Sequence, residues 1–217
     1  MPDRAEPLPE HLIERYRDWH ATIHEPHRAD FEKLAREGQH PREMVISCCD
    51  SRVHVTSIFE ARSGELFIHR NIAGLVPPYR PDGDHHGTSA AIEFAVKALN
   101  ISHIIVLGHS GCAGVRGCYD MCSGHAPDLE DPKSFLGRWM EILRPGFERL
   151  PPGLSDDERA AILEKEAVLV SLENLAAFPF VAAARDRGDL TLHGAWNDIA
   201  AGTIEVYDPA KKAFAVL

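Results

Sequence analysis

The chain has 217 residues, of which 44% are hydrophobic and 26% are charged, and this composition excludes a disordered protein. Its formal charge of -10 argues against nucleic acid and membranes as partners, because the long-range field repels other polyanions. With no apolar leader and no run near the ~20 apolar residues that a membrane span needs, we expect a single cytoplasmic domain over residues 1–217.

The N-terminal region is predicted to be helical. Apolar residues recur at helical spacing in two segments between residues 9 and 37, so residues 1–37 are expected to form a helical arm that covers a neighbouring chain. Two short apolar runs follow, MVIS at 44–47 and ELFIHRN at 65–71, and both are typical of buried strands.

The rest of the chain alternates between helical and strand patterns. A helix is predicted from Thr88, as its cap, to Leu99, and another begins at the capping box of Ser155 and Glu158 and ends near Gly188 with a break at Pro179. The predicted strands are HIIVLGH at 103–109 and a final hairpin formed by LTLHGAW and TIEVYD. The fold class is therefore α/β, with a mainly parallel central sheet flanked by helices and an antiparallel edge.

Two of these strands end in reactive residues. The first runs into Cys48-Cys49-Asp50-Ser51-Arg52, and another ends in His109-Ser110-Gly111-Cys112. Because ligands bind at the carboxyl ends of strands in open α/β sheets, both clusters are expected to face one crevice. Strand alternation would place Cys48, Asp50 and Arg52 on one face and Cys49 on the other.

Two thiols and one imidazole form a donor set that suits zinc. Cys48, His109 and Cys112 would leave a fourth tetrahedral position for water, which is the pattern of a catalytic zinc site. Asp50 would accept a hydrogen bond from that water if Arg52 holds it off the metal, or would take the fourth position itself in a closed state. Zinc lowers the pKa of water from about 15.7 to roughly 7, so carbon dioxide is a natural electrophile for this site.

Each motif by itself also has an ordinary structural interpretation. Cysteines at strand ends are usually packing residues, and an Asp-x-Arg pair is more often a surface ion pair. Five cysteines without a secretion signal make a disulfide framework improbable. Cys118 and Cys122 are expected to be ordinary thiols on one helix face, and the adjacent His85 and His86 are expected to be solvated.

Taken together, the motifs resemble those of the beta-class carbonic anhydrases, with a cleft like that of the plant enzymes. The likeness extends from GQHPREMVISCCDSRV through ELFIHRNIAGLVPPY and GTSAAIEFAVKALNISHIIVLGHSGCAGV to SLENLAAFPFV and LHGAW. It implies a Zn²⁺ lyase that reversibly hydrates carbon dioxide to bicarbonate and a proton. It also implies a homodimer or higher homo-oligomer with the cleft at the subunit interface.

The resemblance assigns further roles to individual residues. Gln39 would bind bicarbonate, Phe67, Ile72 and Phe94 would form apolar cleft walls, and Ala113 stands where the family usually has glycine. A second bicarbonate site, known in another subset of the family, is not expected, because only its arginine, Arg70, is matched. Two alternatives stay open: hydrolysis of carbonyl sulfide or carbon disulfide, and a silent zinc protein with Asp50 permanently on the metal.

Overall fold

The computed structural model describes residues 5–82 and 86–217. His85, predicted to be solvated, lies outside these residues. The described residues form two compact units, one up to His40 and the other from Pro41 to Leu217. In the described part of the chain no single helix is long and apolar enough to cross a membrane. One bent pair of helices, described below, meets the criteria for a membrane span by length and composition only.

The N-terminal unit consists of two helices, as the sequence predicts. Helix α1 spans Glu10–Trp19 and α2 spans Arg28–Glu37. A π-helical turn at His20–His24 and a 3-10 turn at Glu25–His27 join them. Helix α2 ends before Gly38, whose φ of 77° lies in the left-handed region that glycine adopts without strain.

The second unit is built on a six-stranded sheet with the order β2-β1-β3-β4-β5-β6. The first four strands are mutually parallel, and β5 and β6 extend the sheet in antiparallel fashion. The strands are β1 (Glu43–Cys48), β2 (Leu66–Asn71), β3 (His103–His109), β4 (Thr191–Asp198), β5 (Thr203–Asp208) and β6 (Ala213–Val216). The predicted fold class and terminal hairpin are confirmed, whereas β6 was not predicted, because the AFAV run is short and mostly exposed.

Helices flank this sheet. They are α3 (Val55–Ile58), α4 (Gly87–Lys97), α5 (Ala113–Cys122), α6 (Phe135–Met140), α7 (Arg144–Glu148), α8 (Asp156–Ala176) and α9 (Pro179–Asp186). The core is formed by buried aliphatic side chains of β1 and β3 packed against helices α4, α8 and α9 on one face. The bent pair that passes the membrane test is α8 with α9, at an angle of 83°.

Local capping signals were correct for α8 and wrong for α4. Ser155 and Glu158 form the predicted capping box, in which each side chain accepts a hydrogen bond from the backbone of the other residue. Thr88 does not cap α4, because the helix begins one residue earlier, at Gly87. The Thr88 hydroxyl instead contacts His69 Nε2 at 3.0 Å and accepts a hydrogen bond from Asn71 Nδ2 at 3.2 Å.

Candidate metal centre

The two strand ends meet as predicted. Strands β1 and β3 are parallel neighbours with Ser47 opposite Leu107, so Cys48 and His109 emerge at the same edge of the sheet. Both side chains are buried, whereas Cys49 is exposed. The structure therefore selects Cys48, and not its neighbour, for the interior.

Cys112 joins them through a tight turn. The turn passes through Gly111, whose φ of 64° requires the left-handed conformation, and Cys112 then precedes the first residue of α5. This places the Cys112 sulfur 3.9 Å from the Cys48 sulfur. The predicted donor atoms of Cys48, His109 and Cys112 all lie within 4.8 Å of one another.

This arrangement fits a zinc ion. Two sulfurs that each lie about 2.3 Å from zinc at a tetrahedral angle would be about 3.8 Å apart, close to the observed separation of 3.9 Å. Such a fit requires almost no movement of either cysteine. The residues present thus match the donor type, number and spacing of a three-ligand zinc site.

His109 is oriented for binding through Nε2. Its Nδ1 lies 3.0 Å from the carbonyl oxygen of Ser110, which can only accept, so Nδ1 carries the proton. Nε2 is buried and has no hydrogen-bond partner among the described residues. A metal ligand of this kind typically has its other ring nitrogen bonded to a backbone carbonyl, which fixes the tautomer.

The two thiols of the centre do not ionise independently. A hydrogen bond from the Cys112 thiol lowers the pKa of Cys48 to about 4, although burial opposes this shift. The Cys48 thiolate in turn raises the pKa of Cys112, and burial adds to the effect. Burial lowers the pKa of His109, but the nearby Cys48 thiolate and the Ser110 carbonyl oxygen outweigh this effect, so the net shift is upward. A thiolate beside a second thiol is a strong cation-binding group.

Asp50 and Arg52 form a bidentate ion pair. Arg52 Nε donates to Asp50 Oδ1 at 3.0 Å and Nη2 donates to Oδ2 at 2.6 Å. Arg52 Nη2 also donates to the carbonyl oxygen of Gly111, which ties the pair to the Cys112 turn. Hydrogen bonds from the Arg52 side chain and backbone hold the pKa of Asp50 well below its usual range.

The reason for this pairing differs from the predicted one. Strand β1 ends at Cys48, so strand alternation does not extend to Asp50 and Arg52. Residues 49–53 turn instead: the Arg52 amide donates to Asp50 Oδ1 at 2.9 Å, and the Val53 amide donates to the Asp50 carbonyl oxygen. Asp50 Oδ2 then lies 4.0 Å from His109 Nε2, which is too far for a hydrogen bond but close to the donor set.

Arg70 supports this turn from the neighbouring strand. Its guanidinium donates to the carbonyl oxygens of Cys48 at 2.8 Å and Asp50 at 2.6 Å. The family resemblance matches Arg70 only to the arginine of a second bicarbonate site. In the structure Arg70 has a different role. It holds the backbone of Cys48, a predicted metal ligand, and of Asp50, the predicted catalytic carboxylate.

Glu164 was missed by sequence analysis. It lies on α8, is 8% exposed, and accepts a hydrogen bond from the Cys112 amide at 3.1 Å. Burial raises its pKa, although the Cys112 and Gly111 amides oppose this shift. A charged residue on the otherwise largely apolar buried face of α8 was the signal that could have identified it.

The loop after β2 also contacts the centre. Ala73 is buried in the same cluster as Cys48 and Cys112, with a left-handed φ of 63° that is unusual for alanine. The indole of Trp139 donates to the carbonyl oxygen of Ile72 at 2.8 Å. A side chain added at Gly114 would meet Ile72 Cγ2 at 2.9 Å, so Ile72 lies beside the start of α5, where Ala113 is exposed.

Two predicted cleft residues of the second unit lie away from the donor set. Phe67 and Phe94 contact each other, with ring centroids 5.9 Å apart. Phe67 pairs with Met44, four positions before Cys48, which corresponds to about 13 Å along the strand. Gln39 belongs to the N-terminal unit, where it is exposed. The substrate-binding roles of these residues stay predictions.

Comparison with known proteins gives one consistent answer. The carbonic anhydrase family model matches residues 43–204. Beta carbonic anhydrase 3 of Arabidopsis thaliana is 35% identical over 181 residues, which cover 82% of this chain and 68% of the relative.

Solved structures agree with this match. The β-carbonic anhydrase CcaA is 31% identical and superposes with a TM-score of 0.83, over 96% of this chain and 91% of that chain. A tetrameric β-carbonic anhydrase from Sordaria macrospora is 29% identical with a TM-score of 0.75, over 91% of this chain and 95% of that chain. The chain therefore belongs to the carbonic anhydrase family, in its beta class.

Proposed function

We propose that this protein catalyses the zinc-dependent, reversible hydration of carbon dioxide to bicarbonate and a proton. One observation carries the proposal: a Cys-His-Cys donor set of zinc-like spacing lies beside a carboxylate that an arginine holds in a bidentate pair. A silent zinc protein with Asp50 as fourth ligand is less well supported, because both Asp50 oxygens accept hydrogen bonds from Arg52.

Cys48, His109 and Cys112 would hold the metal. Zinc, when bound, acts as a Lewis acid that makes water nucleophilic near neutral pH. Asp50 stays ionised in this range because its pKa is lowered, so Oδ2 can accept a hydrogen bond from the attacking water and orient it. Arg52 is a positioning residue, since it keeps Asp50 at a fixed place relative to His109 and the Cys112 turn.

The substrate is proposed to bind in a cleft completed by a second copy of the chain. Phe94 and Ile72 are 48% and 43% exposed, so both present apolar surface that a second copy of the chain would cover. Phe67 lies away from Cys48 of its own chain, because it pairs with Met44. We therefore propose that Phe67 and Phe94 line the cleft of the other subunit in a dimer. Apolar walls suit carbon dioxide, and the Gln39 amide would donate to a bicarbonate oxygen.

We further propose a homo-oligomer built from dimers, as the tetrameric relative suggests. The helical region of residues 1–37 would then act as an arm on a partner subunit, within one domain of 1–217. A cytoplasmic location fits the five free cysteines, since thiols stay reduced in that compartment. Ala113 is proposed to border the cleft, where its methyl group narrows the space that glycine would leave.

The experiment is a stopped-flow carbon dioxide hydration assay with zinc quantified in the same preparation. We expect turnover in proportion to zinc content, loss of turnover on chelation and recovery on adding Zn²⁺. The rate should rise from mildly acidic to alkaline pH, because water is a better nucleophile when it loses its proton. Active protein without metal, or hydrolysis of carbonyl sulfide or carbon disulfide without hydration, would contradict the proposal.

A further inference from the structure

A second group of metal-binding side chains occurs in the N-terminal unit, outside the part matched by the family model. It consists of His20, His24 and Glu25, and one donor atom of each lies within 4.8 Å of the others. We propose that this histidine cluster binds a divalent transition-metal ion, such as Zn²⁺ or Ni²⁺, separately from the catalytic centre.

The backbone brings the three side chains together. The Glu25 amide donates to the carbonyl oxygen of His20, five residues earlier, so the helix widens into a π turn at this point. The two imidazole rings stack with centroids 5.0 Å apart and an angle of 18° between their planes. Histidines four residues apart on one helical face are a recurrent zinc-binding arrangement.

The donor atoms are already close to the spacing of metal ligands. His20 Nε2 lies 3.4 Å and His24 Nδ1 lies 3.8 Å from the same oxygen of Glu25. Tetrahedral nitrogen and oxygen ligands at about 2.0–2.1 Å from zinc would be roughly 3.4 Å apart. Small side-chain rotations are therefore enough for all three groups to contact one ion.

His24 is held in a binding orientation by packing. Its ring stacks on Phe31 of α2, with centroids 4.9 Å apart, and also contacts Trp19 at 5.6 Å. Its Nδ1 is shielded from solvent, points towards Glu25 and has no hydrogen-bond partner among the described residues. A polar atom in this position is satisfied when it coordinates an ion, and a ring fixed in advance loses little freedom on binding.

The chemistry of the donors indicates the class of ion. Two imidazoles favour Zn²⁺, Ni²⁺ or Cu²⁺ over Mg²⁺ and Ca²⁺, which prefer oxygen ligands. Arg28 donates to both Glu25 oxygens, at 2.8 and 2.7 Å, and its hydrogen bond lowers the pKa of Glu25. Arg28 thus keeps the carboxylate ionised but competes for its oxygens, so we expect weaker binding than at the thiol centre.

Equilibrium dialysis of the zinc-loaded, untagged full-length chain against graded Ni²⁺ tests the proposal. Nickel and zinc are both quantified, so that a second bound ion is distinguished from replacement of catalytic zinc. We expect one nickel ion per chain with zinc retained. His20→Ala and Glu25→Gln should each weaken nickel binding at least about tenfold, because even lost outer-sphere partners cost about 10- to 100-fold.

His27→Ala is the matched control. His27 lies in the same segment, but its Nδ1 faces Asp30 at 3.9 Å and is not part of the histidine cluster. Circular dichroism verifies helix content, and the exposed position of His20 makes His20→Ala compatible with folding. Nickel uptake only by zinc displacement, or binding that survives His20→Ala and Glu25→Gln unchanged, would overturn the proposal.

Discussion

The thiol centre and the histidine cluster reach similar donor spacing in different ways. The thiol centre draws Cys48 from one segment and His109 and Cys112 from another, and it buries all three. The histidine cluster lies within residues 20–25, and its side chains remain partly exposed. The buried centre depends on a supporting shell that includes Arg52, Arg70 and Glu164, whereas the cluster depends on one helical turn. Tertiary structure thus provides preorganisation that local structure supplies only in part.

The largest expected effect is loss of a buried ligand. Cys48→Ser should remove most of the zinc and lower carbon dioxide hydration at least about a thousandfold, because water without the metal keeps a pKa near 15.7. The matched control is Cys49→Ser, since this neighbouring thiol is exposed. Metal analysis and stopped-flow kinetics measure both effects. Equal losses in the two variants would show that the buried thiol is not the ligand.

Loss of the arginine that restrains Asp50 should have the next largest effect. Arg52→Ala should lower turnover about a hundredfold, because a misplacement of about 1 Å near the reacting atoms costs that much. Zinc content should stay near that of the unaltered protein, which separates positioning from metal binding. Arg116→Ala is the control, since Arg116 pairs with Asp120 and Asp157 on the surface. Unchanged turnover in Arg52→Ala would refute the role of the ion pair.

A smaller effect is expected from the buried carboxylate behind Cys112. Glu164→Gln should weaken zinc binding about tenfold, as is usual for outer-sphere partners, because the Cys112 amide loses a charged acceptor. Glu166→Gln, two residues away on α8, serves as control because Glu166 pairs with Arg149. Competition with a chromophoric chelator measures the zinc affinity. Similar affinities in the two variants would remove Glu164 from the supporting shell.

The smallest effect concerns acid stability. Because the folded pKa of Asp50 is lowered, its ionised form stabilises the fold above its unfolded pKa of about 3.9, and this contribution is lost as pH falls further. The stability difference between the unaltered protein and Asp50→Asn should therefore be constant from about pH 5 to 8 and shrink below about pH 4. Urea unfolding across this range measures it. A difference that grows in acid would contradict the assigned direction.

More of the fold than of the shell around the metal centre is predictable from the sequence. Apolar runs and the capping box located β1 to β5 and α8, because these signals act within a few residues. Thr88 shows where local signals fail. Threonine at this position is typical of a helix cap, but its hydroxyl is engaged by His69 and Asn71 instead. Asp50 and Arg52 were predicted to meet by strand alternation, whereas a turn after Cys48 pairs them.

The sequence by itself determined the donor types, the strand ends that carry them and the family resemblance, because residue identity and short-range periodicity are encoded locally. Only the tertiary structure decided that Cys48 and Cys112 lie 3.9 Å apart and that Arg70 and Glu164 form hydrogen bonds with their backbones. It also decided that Phe67 pairs with Met44, four positions away from Cys48 along the strand. The physical reason is that these contacts join residues 22 to 64 positions apart, and chain folding alone sets such distances.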